Sequence, residues 1–283
     1  MKILVTGSRG QLGRTLLTRC PDDFTIVGVD KGDVDIGVAG DVRALVDRER
    51  PDVIVNTAAY TAVDRAETEE DAARRVNVFG ARNVAATGVR LIHLSTDFVF
   101  DGDADEPYAP DAATGPLSAY GRSKLDGETA VRELLPQNSI ILRTAWLYSE
   151  HGGNFVDTML RLMRDRDGVQ VVNDQVGSPT WARSVADVVF AMVARPQVSG
   201  TYHWTDGGQV SWYDFACAIQ EEATKLGQLG KATAIRPITA SEYAAPAVRP
   251  AYSVLDCTTT EAEFGIVQRP WRDCLREMLG EMS

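Results

Sequence analysis

Short apolar runs alternate with stretches of helical periodicity through the first half of the chain. Residues 3–6, 25–29, 53–57, 89–96 and 139–145 are rich in Val and Ile and mostly bounded by Gly, Pro or Asp, which predicts strands. Several of these runs are almost continuously apolar, as expected of parallel strands covered on both faces. Between them, residues 11–19 carry a Leu12, Leu16, Leu17 stripe, and residues 67–87 place Ala72, Ala73, Val76 and Phe79 at helical spacing. Alternation of this length predicts an α/β fold, a Rossmann-type doubly wound parallel sheet.

Beyond residue 145 the pattern loosens. Helices are predicted over 154–166 and 184–195, the latter with Val185, Val188, Val189 and Met192 turned inward, around a loop at 173–180. The tail holds Trp204, Trp212, Tyr213 and Trp271 and reads as a smaller substrate-binding cap over the carboxyl edge of the sheet. The expected division is a dinucleotide-binding domain at 1–145 with a returning segment near 181–205, and a cap from 146–180 and 206–283.

Composition narrows the function. The 283 residues are 44% hydrophobic and 24% charged, with a net charge of -11 and no Lys/Arg run, which argues against nucleic-acid binding. No apolar stretch reaches the roughly 18 residues of a membrane span. Cys20, Cys217, Cys257 and Cys274 are scattered, and Met1–Val5 leads directly into a glycine loop, so a cytoplasmic protein without a signal peptide is expected. None of the three histidines has a second ligand at metal-site spacing, so no metal is expected; His93 reads as a satisfied strand histidine.

The loop itself is Gly7-x-x-Gly10-x-x-Gly13, between the first strand and the first helix. Gly7 permits the tight turn, Gly10 lets the backbone approach a pyrophosphate, and Gly13 allows close helix–strand packing. With Arg9, Gln11 and Leu12 these residues form the candidate cofactor loop, and the pyrophosphate would sit at the positive helix end. Asp30, at the end of the second strand, falls where a carboxylate meets the adenosine ribose and favours NADH. Arg9 and Lys31 offer positive charge for a 2′-phosphate and favour NADPH, so both cofactors stay open. Asp35, Ile36 and the small residues Ala58 and Ala59 with Tyr60 complete the candidate cofactor wall.

Tyr120 and Lys124 stand at i and i+4 of a predicted helix and share a face. An ammonium there can depress the phenol pKa and let the tyrosine pass a proton; Thr96, 24 residues upstream, supplies a third polar group.

These residues resemble the extended short-chain dehydrogenase/reductases, and within them the dTDP-4-dehydrorhamnose reductase branch. The resemblance rests on Gly7–Gly13, Asn56–Asp64, Ser95–Gly102, Tyr120-x-x-x-Lys124-x-x-Gly127-Glu128 and Arg143–Tyr148. It continues in Gly153–Phe155, Asp174-Gln175-x-Gly177-x-Pro179-Thr180 and Arg249-Pro250, and spans essentially the whole chain. It implies hydride transfer from NADPH or NADH to the C4 carbonyl of a dTDP-linked 4-keto-6-deoxyhexose. Tyr120 would donate the proton, Lys124 would bind the nicotinamide ribose, and Thr96 would hydrogen-bond the carbonyl. Asp97, Phe98 and Trp146 would face the sugar, and Asn154, Phe155 and Arg249 the nucleotide. Phe98 departs from the family's usual tyrosine and leaves room for a related 4-ketosugar. Ala145, where serine is common, is a milder change. Arg183 stands where members that form Mg²⁺-bridged dimers carry a glutamate, which argues for a monomer. A non-catalytic regulatory subunit on the same fold is the alternative from another class.

Overall fold

The structure, a computed structural model, describes residues 1–282. Its main sheet has six strands: β1 (Lys2–Thr6), β2 (Thr25–Val29), β3 (Val53–Asn56), β4 (Arg90–Thr96), β5 (Ser139–Thr144) and β6 (Gly200–His203). All pair in parallel in the order β6-β5-β4-β3-β1-β2. The strand order reverses between β1 and β3, and the open crevice of such a sheet lies at its carboxyl ends beside that reversal.

The continuous apolar runs have the expected cause. On one face Val5, Val55, Ile92 and Leu142 pack with Leu12, Leu16 and the buried side of the helix Ala182–Val193. On the other, Leu4, Ile54, Leu91 and Ile141 pack with Val84, Ala85 and Val131. Val185, Val188, Val189 and Met192 are fully buried as anticipated, whereas Leu17 is exposed. A second core joins Tyr148, Met159, Met163 and Trp181 to Phe215, Ile219, Leu275 and Met278.

The single helix expected at 67–87 is replaced by Val63–Ala66, Glu70–Arg74, a π-helical turn Arg75–Gly80 and Ala81–Ala85. The wider turn brings Asn77 inward, where its side chain bonds both backbone groups of Tyr60 and donates to Ser123 Oγ at 2.9 Å. Phe79 is consequently half exposed and Ala72 faces solvent. His93 also differs from expectation. Its Nδ1 accepts from Asn56 Nδ2 at 3.1 Å, but its buried Nε2 has no hydrogen-bond partner among the described residues. Burial pushes its pKa down to about 3, so the ring is neutral.

Glu128 has no exposed surface and lies on the helix Ala119–Leu134. It accepts two hydrogen bonds from Arg143 of β5, at 2.8 and 2.7 Å, and one from Ser95 of β4 at 2.5 Å. Removing one partner of a buried ion pair leaves an uncompensated charge. Glu128→Ala is therefore expected to lose about 3–5 kcal/mol of unfolding free energy, measured by urea denaturation.

Candidate active site

The helix Ala119–Leu134 starts sharply because Ser118 Oγ accepts from Gly121 N at 3.1 Å and Glu67 accepts from Ala119 N at 2.8 Å. Tyr120, Lys124 and Glu128 follow at intervals of four and share its inner face. Glu128 ties that face to Ser95, the residue before Thr96, and so fixes the helix against the end of β4. Lys124 is 3% exposed, and its Nζ donates to Leu94 O at 2.6 Å. Burial lowers its pKa to about 8, which still leaves an ammonium at neutral pH.

Tyr120 differs from the expectation of a depressed pKa. Burial pushes its phenol above the ordinary value, Thr96 acts in the opposite direction, and the charge of Asp97 adds to the rise. The phenol therefore stays protonated through the neutral range, the state a proton donor needs. Thr96 Oγ1 accepts from Phe98 N at 3.1 Å and donates to Asp97 Oδ1 at 2.9 Å. Asp97 is buried, and desolvation raises its pKa to about 6. The Phe98 ring meets Tyr120 edge-on, with centroids 5.5 Å apart.

A cleft of about 850 Å³ runs along the carboxyl ends of the strands past Thr96, Asp97, Tyr120 and Lys124. Gly7, Arg9, Gly10, Gln11, Leu12, Gly13, Asp30, Asp35, Ile36, Ala58, Ala59 and Tyr60 all border it. Gly7 has φ 74°, the left-handed region that glycine adopts freely, and a Cβ on Gly13 would collide with the Gly7 carbonyl oxygen. The helix Gln11–Thr18 begins at Gly10 with no side-chain cap and no acidic residue in its first turn. Its free amides and positive dipole end fit a pyrophosphate. Asp30 is more committed than anticipated: one oxygen accepts from Arg9 N at 2.9 Å and the other from Lys31 N at 2.8 Å. Asp35 is held by Arg75 at 2.6 Å and by Gly37 N.

A second cavity of about 920 Å³ opens beside the first. Phe155, Trp212, Gln175, Ser253 and Arg249 border it, and Phe98 and Trp146 border both spaces. Trp146 is a non-glycine residue at φ 46°, a conformation that persists only where its surroundings hold it. Its ring stacks on Trp212, centroids 3.4 Å apart and 4° from parallel. On Gly177 a Cβ would come within 2.5 Å of the same ring, which explains that glycine in the Asp174–Thr180 block.

One candidate lies elsewhere than expected, and another is already paired. Asn154 borders the first cleft, not the second, and serves as the cap of the helix Phe155–Asp165. Its Nδ2 donates to Gln11 Oε1 and Ser149 O, and Ser149 Oγ also donates to Gln11 Oε1. Arg249 is paired with Asp64. Glu128, Arg143 and Asn77 were given no role from sequence. Glu128 had a readable signal, since positions 120, 124 and 128 share one helical face.

The family model described as the RmlD substrate binding domain matches residues 1–283. The chain is similar to a dTDP-4-dehydrorhamnose reductase of Aggregatibacter actinomycetemcomitans, at 40% identity over 288 residues and 98% of each chain. It is 45% identical over 258 residues to a dTDP-4-keto-6-deoxy-D-glucose reductase of Streptomyces niveus, covering 89% of this chain and 87% of that one. Among solved structures, the dTDP-4-dehydrorhamnose reductase of Bacillus anthracis in complex with NADP superimposes with a TM-score of 0.91 at 36% identity, covering 99% of each chain.

Asp97 binds its proton at about pH 6 in the folded chain and near pH 4 when unfolded. Between those values the folded state holds more protons, so falling pH stabilises it through this group. The stability of the wild type relative to Asp97→Asn should therefore increase as pH falls from 6 towards 4, as read from paired urea titrations.

Proposed function

The chain belongs to the RmlD substrate binding domain family, and from that premise we propose that it reduces the C4 keto group of dTDP-4-dehydro-L-rhamnose to dTDP-L-rhamnose with NADPH or NADH. The observation that carries this reading is the meeting of two clefts at Phe98 and Trp146, with the Tyr120 phenol against Phe98. One cleft has the uncapped helix end and glycine loop of a dinucleotide site; the other has aromatic walls and an arginine for a nucleotide sugar. The reduced nicotinamide supplies the hydride. Tyr120 gives its proton to the oxygen that becomes the C4 hydroxyl, and Thr96 orients that oxygen. Lys124 holds the nicotinamide ribose and keeps positive charge beside the developing alkoxide.

NADPH is the preferred cofactor in this reading. The carboxylate of Asp30 is spent on loop amides, whereas the Arg9 side chain is 69% exposed, held among the described residues only by a long 3.9 Å ion pair to Asp33, and lies over Gly32 in the turn after β2. The chain acts as a monomer in the cytoplasm. The monomeric part of that reading is supported by Arg183, which occupies the position with a cation and pairs with Glu277 and Glu281 of its own chain at 2.8 Å each. A second reading, reduction of another dTDP-4-keto-6-deoxyhexose, is favoured by Phe98 and by the likeness to the Streptomyces niveus reductase.

The test is oxidation of NADPH, followed by absorbance, with dTDP-4-dehydrorhamnose and its stereoisomers as substrates. No oxidation with any of them would favour a regulatory subunit; turnover only with another ketosugar would favour the second reading. Tyr120→Phe is expected to lose about 10²–10⁴-fold in kcat with little change in the Kd for NADPH. Arg9→Ala should raise KM for NADPH about tenfold and leave KM for NADH nearly unchanged, a difference of about 1.4 kcal/mol at the 2′ position.

A further inference from the structure

Arg249 lies on the cap segment 240–250 that lines the second cavity, and Asp64 lies on the helix Val63–Ala66 of the nucleotide-binding half. A guanidinium has five N–H donors in a fixed plane. Arg249 Nη1 donates to Asp64 Oδ1 at 2.9 Å and to Ala247 O at 3.2 Å, and Nη2 donates to Asp64 Oδ2 at 2.9 Å. Ala247 N also donates to Asp64 Oδ1, at 3.2 Å. These bonds use up the end of the fork. The Nε–H and the second Nη2–H have no partner among the described residues. They lie side by side along one edge, at the spacing that chelates two oxygens of a phosphate. The Arg249 side chain is 23% exposed and borders the cavity, whose other charged lining residues are Arg166 and Glu242. On the far side, Pro250 is pressed against Gly102, where a Cβ would come within 2.6 Å of its Cα.

We propose that Asp64 is a positioning residue for substrate: by gripping the end of the Arg249 fork it turns the Nε/Nη2 edge towards the diphosphate of the nucleotide sugar. Asp64 itself touches no substrate. Its carboxylate fixes the rotation of a guanidinium that would otherwise turn about four single bonds, and it joins the cap to the loop that follows Ala58, Ala59 and Tyr60 along the cofactor cleft. The inference rests on the reductase reading above, which supplies the diphosphate.

The probe is dTDP, titrated calorimetrically into the wild type, Asp64→Asn, Asp64→Ala, Asp64→Glu and Arg249→Lys, with NADPH titrated in parallel and steady-state kinetics alongside. Asp64→Asn should weaken dTDP binding and raise KM for the sugar nucleotide about tenfold, with kcat and the Kd for NADPH within about twofold. Asp64→Ala should lose more, and Asp64→Glu should recover most of the loss. Arg249→Lys keeps the charge but not the second edge, and should lose at least as much as Asp64→Asn. Unchanged or tighter dTDP binding in Asp64→Asn would overturn the proposal, since that is the behaviour of a competing anion. Equal losses of dTDP and NADPH affinity with a lower Tm would overturn it too, by making the pair merely structural. A wild type that binds no dTDP and oxidises no NADPH would remove the reductase reading and this one together; an active wild type with an unaltered Asp64→Asn removes this one alone.

Discussion

A carboxylate with no exposed surface, Glu128, receives Arg143 through two hydrogen bonds and Ser95 through a third. The rest of the site depends on this arrangement. Glu128 belongs to the helix of Tyr120 and Lys124, Ser95 precedes Thr96, and Arg143 precedes Thr144 at the paired end of β5. One ion pair thus sets helix, β4 and β5 at a common level, and the three polar groups of the site inherit that level. Arg143 also contacts Pro110 O and His203, which extends the lock to β6. Buried charge of this kind is weak evidence for net stability, because desolvation offsets the attraction. Its contribution here is geometric: a bidentate guanidinium–carboxylate pair tolerates little sliding of one element past another.

The same burial sets the protonation of the site. Tyr120 and Lys124 are largely buried, so the phenol is pushed up and the ammonium down, and each keeps its proton at neutral pH. A reductase needs both protons in place before reaction, one to give to oxygen and one as charge. Trp146 contributes in another way. Its left-handed backbone and its stack on Trp212 make a rigid partition shared by two cavities, so ligands in them would meet only at the edge of that ring and at Phe98.

Much of this was legible in the chain. The alternation of apolar runs with helical stripes located the five N-terminal strands to within a residue, because strands covered on both faces carry apolar runs that isolated buried polar residues such as His93 and Arg143 do not break up. The glycine loop was readable since each glycine answers a steric demand that no other residue meets. The helix at 67–87 was misread because a π turn shifts the inward face from Phe79 to Asn77, and a buried asparagine bonded to backbone looks like a solvent position in a hydrophobicity pattern. Asn154 and Arg249 carried side chains suited to a ligand, but partners more than a hundred residues away, Gln11 and Asp64, determine what those side chains touch. Local spacing holds no record of such pairings. The fall of the Tyr120 pKa expected from Lys124 failed for a related reason: helical spacing places a charge nearby but does not report how deeply both groups are buried.

Gln11 sits at the first turn of the glycine-loop helix, and its side-chain oxygen receives both Ser149 and Asn154, the two ends of the loop that opens the helix Phe155–Asp165. A carbonyl oxygen has two lone pairs, so this one is used to capacity. The glycine-loop helix and the first turn of a helix lining the second cavity therefore share a single atom, so neither can move without carrying the other along or breaking a bond to it.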